Sequence, residues 1–203
     1  MFINEDYYKY LLIEPSIKTI IKESDYMRYV IVCLIKDKAL EFHEELVNDI
    51  CTRFKVKRQR LPAHFTIKAP FEADDINELE SLTQKFCFLN ESNSIKIDGF
   101  GRFREDVVFM DVKTSKEALK VHDEYIDTLK TLPWLEWKRN EGKGRVFHCT
   151  LVSKIPTDKF NAIWNYTLSF SCYFESAFDN ISILKWERDK WVTHKEYKLK
   201  DRT

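Results

Sequence analysis

Two tetrapeptides in the 203-residue chain carry the same set of functional groups, His64-Phe65-Thr66-Ile67 and His148-Cys149-Thr150-Leu151. Each reads His, apolar, Thr, apolar. On a strand alternate residues share a face, so an imidazole and a hydroxyl point one way and the apolar pair points the other. An imidazole titrates close to neutrality and serves as general base or general acid, while a hydroxyl donates to an anionic oxygen. Lys68 continues the face of His64 and Thr66, and Lys154 continues that of His148 and Thr150 if the second strand runs that far. Two imidazoles, two hydroxyls and two ammonium groups converging on one cleft would make a phosphate site.

Charge is distributed to match. The chain holds 33 basic and 33 acidic side chains, a formal net charge of zero, which argues against a protein that coats nucleic acid or an anionic membrane through its overall field. Locally the balance breaks. Arg53, Lys55, Lys57, Arg58, Arg60 and Lys68 surround the first motif with no acid between Ile50 and Phe71, and Lys138, Arg139, Lys143, Arg145 and Lys154 surround the second against Glu141 alone. The expectation is a cationic cleft within a compensating acidic exterior.

The elements that must position these residues are repeated. Val30 to Leu46 and Val107 to Tyr125 each run from a β-branched or aromatic stretch through a polar break into an amphipathic helix, and Ala39 to Glu45 matches Ala118 to Glu124. After each motif a proline precedes a second helical pattern. Those patterns are Asp75 to Phe88, with Ile76, Leu79, Leu82 and Phe86, and Thr157 to Leu168, with Phe160, Ile163 and Trp164. Each half thus reads strand, helix, strand, helix, strand, as a pseudo-two-fold pair of lobes would. Further strands are expected at Ile95 to Ile97, across Phe170 to Trp186 with Asp179-Asn180 as a turn, and at Trp191 to Leu199. Residues 1–25 form an extension outside the repeat, with a strand-like run at Tyr10 to Ile13 and a helical pattern from Ile17.

Other residues have weaker claims on chemistry. His43 and His122 occupy equivalent helix positions and read as packing residues, and His194 reads as solvated. Phe100, Phe103, Trp134 and Trp137 either stack on a base or pack the lobe junction. The five cysteines are widely spaced and form no CxxC pair, which favours buried free thiols over a zinc site or a redox couple. The longest apolar run, Tyr29 to Ile35, is far too short to cross a bilayer, and the N-terminus carries acids and no apolar signal core, so a cytoplasmic location is expected.

The paired H-x-T-apolar motifs, with the Gly99 to Phe103 stretch (Gly-Phe-Gly-x-Phe) between them, resemble the 2H phosphoesterases, also called the 2′-5′ RNA ligase or cyclic phosphodiesterase-like superfamily. The resemblance covers about Tyr29 to Trp186. It implies an α+β, duplicated bilobal fold in which two antiparallel β-sheets line a central cleft with helices on the outside. Residues 26–203 would form one domain, lobe 1 about 26–106 and lobe 2 about 107–203, with termini and strands free to cross between them. It implies a phosphoesterase that hydrolyses or reversibly forms cyclic or 2′-5′ phosphodiester bonds of RNA ends or nucleotides; a monomer is expected. By that resemblance His64, Thr66, His148 and Thr150 would be catalytic, with no metal or cofactor needed; Lys68 and Lys154, placed on the same faces by strand alternation, are expected to bind substrate, and no membrane partner is expected. The alternatives are a non-catalytic RNA-binding or adaptor module using the same cleft, and a phosphoesterase acting on a small non-RNA cyclic phosphate.

Overall fold

The structure, a computed structural model, describes residues 27–201. The expectations for Tyr10 to Ile13 and Ile17 lie outside the described residues. The elements run β1 (Met27–Leu34), α1 (Asp37–Phe54), β2 (His64–Ala73), α2 (Asn77–Leu89), β3 (Asn93–Phe103), β4 (Val107–Thr114), α3 (Lys116–Leu129), β5 (His148–Ser153), α4 (Thr157–Thr167), β6 (Tyr173–Phe178), β7 (Asn180–Glu187) and β8 (Lys190–Lys198). They build two four-stranded sheets in the orders β2-β1-β7-β8 and β5-β4-β3-β6, with every neighbouring pair antiparallel. The fold is α+β and duplicated, and the cleft lies between the sheets.

Helix periodicity explains how the sheets are covered. In α1 the buried residues Ala39, His43, Leu46, Val47 and Ile50 recur at three- and four-residue spacing, so one stripe enters the core while the rest of the helix is solvated. In α3 the matching stripe is Ala118, Val121, His122, Tyr125, Ile126 and Leu129, and the Ser115 hydroxyl caps the helix by accepting from the Ala118 N–H at 3.0 Å. One continuous core joins both sheets to all four helices, with Phe65 edge-on to Phe147 and Phe178 where the lobes meet.

The halves interlock. β3, the last strand of the first half, hydrogen-bonds to β4 and β6 in the second sheet, while the C-terminal hairpin β7-β8 returns to complete the first. Residues 103–107, where a sequence boundary between lobes falls, are therefore the turn of a hairpin within one sheet. Asp179-Asn180, by contrast, is not a hairpin turn: β6 and β7 belong to different sheets, and the chain changes sheet there. Asn180 is fully buried because its side chain extends the ladder beyond Ser182. Its Oδ1 accepts from the Leu34 N–H at 2.9 Å and its Nδ2 donates to the Leu34 carbonyl at 3.0 Å, fixing the end of β1 opposite His64. Among the described residues no helix is long and apolar enough to cross a membrane.

Candidate functional site

β2 and β5 are the edge strands of their sheets, and the two edges lie against each other. They run in opposite directions: Phe65 of β2 meets Phe147 edge-on at 5.4 Å, while Arg145, two residues earlier in the chain than Phe147, donates to the carbonyl of Ile67, two residues later than Phe65, at 3.3 Å. This brings the first residues of both strands, His64 and His148, to the middle of the junction.

The two imidazoles are held in the same way. His64 Nδ1 lies 2.7 Å from the Pro62 carbonyl, and His148 Nδ1 lies 3.0 Å from the Val146 carbonyl, in each case the residue two positions upstream. A carbonyl only accepts, so both Nδ1 atoms carry the proton and each neutral ring keeps its lone pair on Nε2. At His64 that lone pair accepts from the Thr66 hydroxyl at 3.2 Å. His64 is 7% exposed and His148 is half-buried. Burial pushes the His64 imidazole down to about 4, assisted by the nearby His148 and His43 and opposed by the bond to Pro62. His148 is also lowered by burial and by Arg145, while its bond to Val146 and the carboxylate of Asp111, its cross-strand partner, pull it back up.

Backbone register explains why His and Thr reach the cleft together and why the next residues do not. Val32 pairs with Thr66 but Ile31 pairs with Lys68, so Ile67 is an extra residue in the ladder. Phe109 pairs with Thr150 but Val108 pairs with Val152, so Leu151 is the equivalent extra residue. Both are β-bulges, and each falls on the fourth residue of the motif. Directly paired residues share a face. His64 and Thr66 therefore lie with Leu34 and Val32 on the cleft side. Past the bulge, Lys68 is opposite the core residue Ile31.

This corrects the expectation for Lys68. Strict alternation places it beside His64 and Thr66, but the bulge turns it inward. It is 1% exposed, its Nζ lies 2.6 Å from the buried Glu141 carboxylate, and Trp137 covers it at 5.2 Å. Its charge is spent tying the loop before β5 to β2. Lys154 does not share the face of His148 and Thr150 either, because β5 ends at Ser153 and Lys154 is an exposed left-handed residue, φ 55°. The second basic stretch is further reduced where Lys143 pairs with Asp127 at 2.5 Å.

Several supporting residues surround the two motifs. Phe103 stands edge-on to His148 at 4.8 Å and Phe109 lies 5.1 Å away, forming an apolar collar. Gly101 pairs with Phe109, and a side chain there would overlap the Phe109 ring, which explains the second glycine of the Gly-Phe-Gly-x-Phe stretch. His43 donates from Nε2 to the Thr150 carbonyl at 2.9 Å, so a helix of the first half holds the motif of the second. His122 packs edge-on against Phe147 at 4.8 Å, immediately before His148. The repeated helix histidines were the available clue to this layer. His194 is exposed, as expected, and pairs there with Glu80 at 2.5 Å. Phe100 packs on Phe42, and Trp134 donates to Glu78 at 3.2 Å. All five cysteines are free thiols, Cys51 partly buried and the rest buried.

Fold and motifs together define a class of duplicated α+β chain in which two antiparallel sheets meet along paired His-x-Thr strands. The sequence profile of the 2′-5′ RNA ligase superfamily matches residues 36–190, and the chain belongs to that superfamily. Among curated proteins no sequence matches. Among solved structures the fold is similar to TT0787 of Thermus thermophilus, at a TM-score of 0.63 and 12% identity over 87% of this chain and 100% of that one. It is also similar to E. coli LigT complexed with 3′-AMP, at a TM-score of 0.56 and 13% identity over 86% of this chain and 98% of that one.

Proposed function

We propose that this chain is a metal-independent phosphoesterase that opens, and in reverse forms, cyclic or 2′-5′ phosphodiester bonds of RNA ends or nucleotides. The observation that carries the reading is the pair of identical Nδ1–carbonyl bonds, which leaves two imidazoles at one junction with Nε2 available for proton transfer. LigT, similar in fold, has been crystallised with 3′-AMP and with phosphate, which supports a phosphate-bearing ligand in such a cleft.

The step balances with these groups alone. One neutral Nε2 takes a proton from water as the water oxygen bonds to phosphorus; the bond from phosphorus to the ribose oxygen breaks, and the other imidazolium protonates that oxygen. His64, the more buried ring, serves as the base. His148, less buried and opposite Asp111, holds the proton to be given. The Thr66 and Thr150 hydroxyls donate to the non-bridging oxygens, where charge grows in the transition state. Thr66 leaves Nε2 of His64 when it does so.

The test is turnover of a panel of 2′,3′-cyclic nucleotides and 2′-5′ oligonucleotides by the wild type, His64→Ala and His148→Ala. Turnover that is lost in both variants and indifferent to a chelator is expected. Binding without turnover by the wild type would make the chain an adaptor, and activity confined to non-nucleotide cyclic phosphates would move the substrate class.

A further inference from the structure

The pseudo-two-fold axis that relates the motifs also relates two cavities, one at each end of the β2-β5 junction. The first, about 820 Å³, lies between the second half of β2 and the loop before β5, around Lys68, Phe71, Trp134 and Lys138. The second, about 740 Å³, lies between the loop before β2 and the end of β5, from Lys55 to Leu61 and from Ser153 to Pro156. Equivalent by topology, they are opposite in charge. The first is lined by Glu72, Asp74, Asp75, Glu78 and Glu136, and of its cations Lys68 is already neutralised by Glu141. The second is lined by Lys55, Lys57, Arg58, Arg60 and Lys154 and by no carboxylate.

The basic cavity also has an aromatic floor continuous with the site. Val32 pairs with Thr66 and with Ser182, Val30 pairs with Leu184, and Trp186 pairs with Trp191, so these residues share the face of the first sheet that bears His64 and Thr66. Leu61 and Trp191 pack against the Val30, Val32 and Leu184 cluster on that face. Trp186 and Trp191 are partly exposed and T-shaped at 5.4 Å, and the Arg60 guanidinium lies 5.3 Å over Trp186. Arg58 is held by Glu44, but Lys55, Lys57 and Lys154 are exposed and have no carboxylate partner among the described residues. A groove that joins unspent cations to indole faces suits a polyanion carrying stackable rings.

Building on the proposed function, we propose that the cavity of Lys57, Lys154, Trp186 and Trp191 binds the nucleotides adjoining the reacting phosphate, so that a single-stranded RNA enters the junction from this end. The acidic cavity at the other end repels the same strand, which gives a nearly symmetric junction one direction of loading.

Affinity for a fluorescent single-stranded RNA octamer, measured by anisotropy over a salt series, tests this independently of turnover. Lys57→Glu with Lys154→Glu is expected to weaken binding at least tenfold and to make the plot of log affinity against log salt shallower by roughly 0.7 for each cation removed. Trp186→Ala is expected to weaken binding about tenfold with the salt slope unchanged. Lys138→Glu, in the acidic cavity, is expected to leave affinity unchanged. If the double charge reversal leaves affinity unmoved, or if Lys138→Glu costs as much, the proposal is overturned. RNA bound through this cavity by a protein that opens no phosphodiester would overturn the proposed function and leave this inference standing. Turnover of cyclic mononucleotides with RNA affinity unmoved would do the reverse.

Discussion

His64 and His148 each hold a carbonyl two residues upstream through Nδ1, Pro62 at 2.7 Å and Val146 at 3.0 Å, and therefore share one tautomer. The bonds orient each ring and keep the reactive lone pair on Nε2, the condition for both rings to act on one phosphate. What separates them is environment: His64 is the more buried, and Asp111 pairs with His148 alone.

That asymmetry sets a pH profile. Burial lowers His64 to about 4 and lowers His148 from its ordinary value. The rise of kcat/KM on the acid side is expected near pH 4, as His64 loses its proton, and the fall is expected below pH 6.5, as His148 loses its own. A bound phosphate anion favours both imidazoliums, so the kcat profile is expected at higher pH than the kcat/KM profile. A kcat/KM optimum above pH 7 would contradict the assignment.

Stability should follow the same imidazoles. A buried neutral His64 takes up its proton later than it does in the unfolded chain, so the folded state is favoured above pH 6.5 and that advantage is lost as pH falls from 6.5 towards 4. At about 1.4 kcal/mol for each pH unit, the loss from His64 is on the order of 3 kcal/mol. His43 and His122, also lowered by burial, act in the same direction. Thermal melts from pH 7 to pH 4 are expected to show a falling Tm, with a shallower fall in His64→Gln.

The Lys68–Glu141 pair is buried on both sides, so breaking it is costly while replacing it is not. Lys68→Met alone leaves a buried carboxylate unpaired and is expected to cost about 3–5 kcal/mol. Lys68→Met with Glu141→Leu is expected to recover most of that loss. Chemical denaturation of the two single variants and the double variant measures the coupling, and additive losses would show that the pair does not act as a unit.

Gly101→Ala forces the Phe109 ring away from β3 and so disturbs the collar around His148. A loss of about 1–3 kcal/mol in stability is expected from the overlap. Activity is expected to fall about tenfold or more, read as kcat on a cyclic nucleotide at a temperature where the variant is folded.

Much of this architecture is legible in the sequence because duplication writes it twice. The matched helix patterns from Ala39 and Ala118 and the two His-x-Thr strands give element order and site together. What stays hidden is long-range or depends on register. The bulges at Ile67 and Leu151 leave no mark in residue type, yet they decide that Lys68 faces Glu141 instead of the cleft. The exchange of β3 and the sheet change at Asp179 follow from which edges remain unpaired after folding, which a local pattern does not encode. Equally, the basic residues around the two motifs look alike in sequence, and only their distribution between two cavities separates them.

The most direct measurement is kcat/KM for 2′,3′-cyclic AMP in the wild type, His64→Ala and His148→Ala, each shown to be folded. The account predicts measurable turnover in the wild type and a loss of about 10²- to 10⁴-fold in each variant, with the double variant little worse than either. Wild-type rates in either single variant would contradict it.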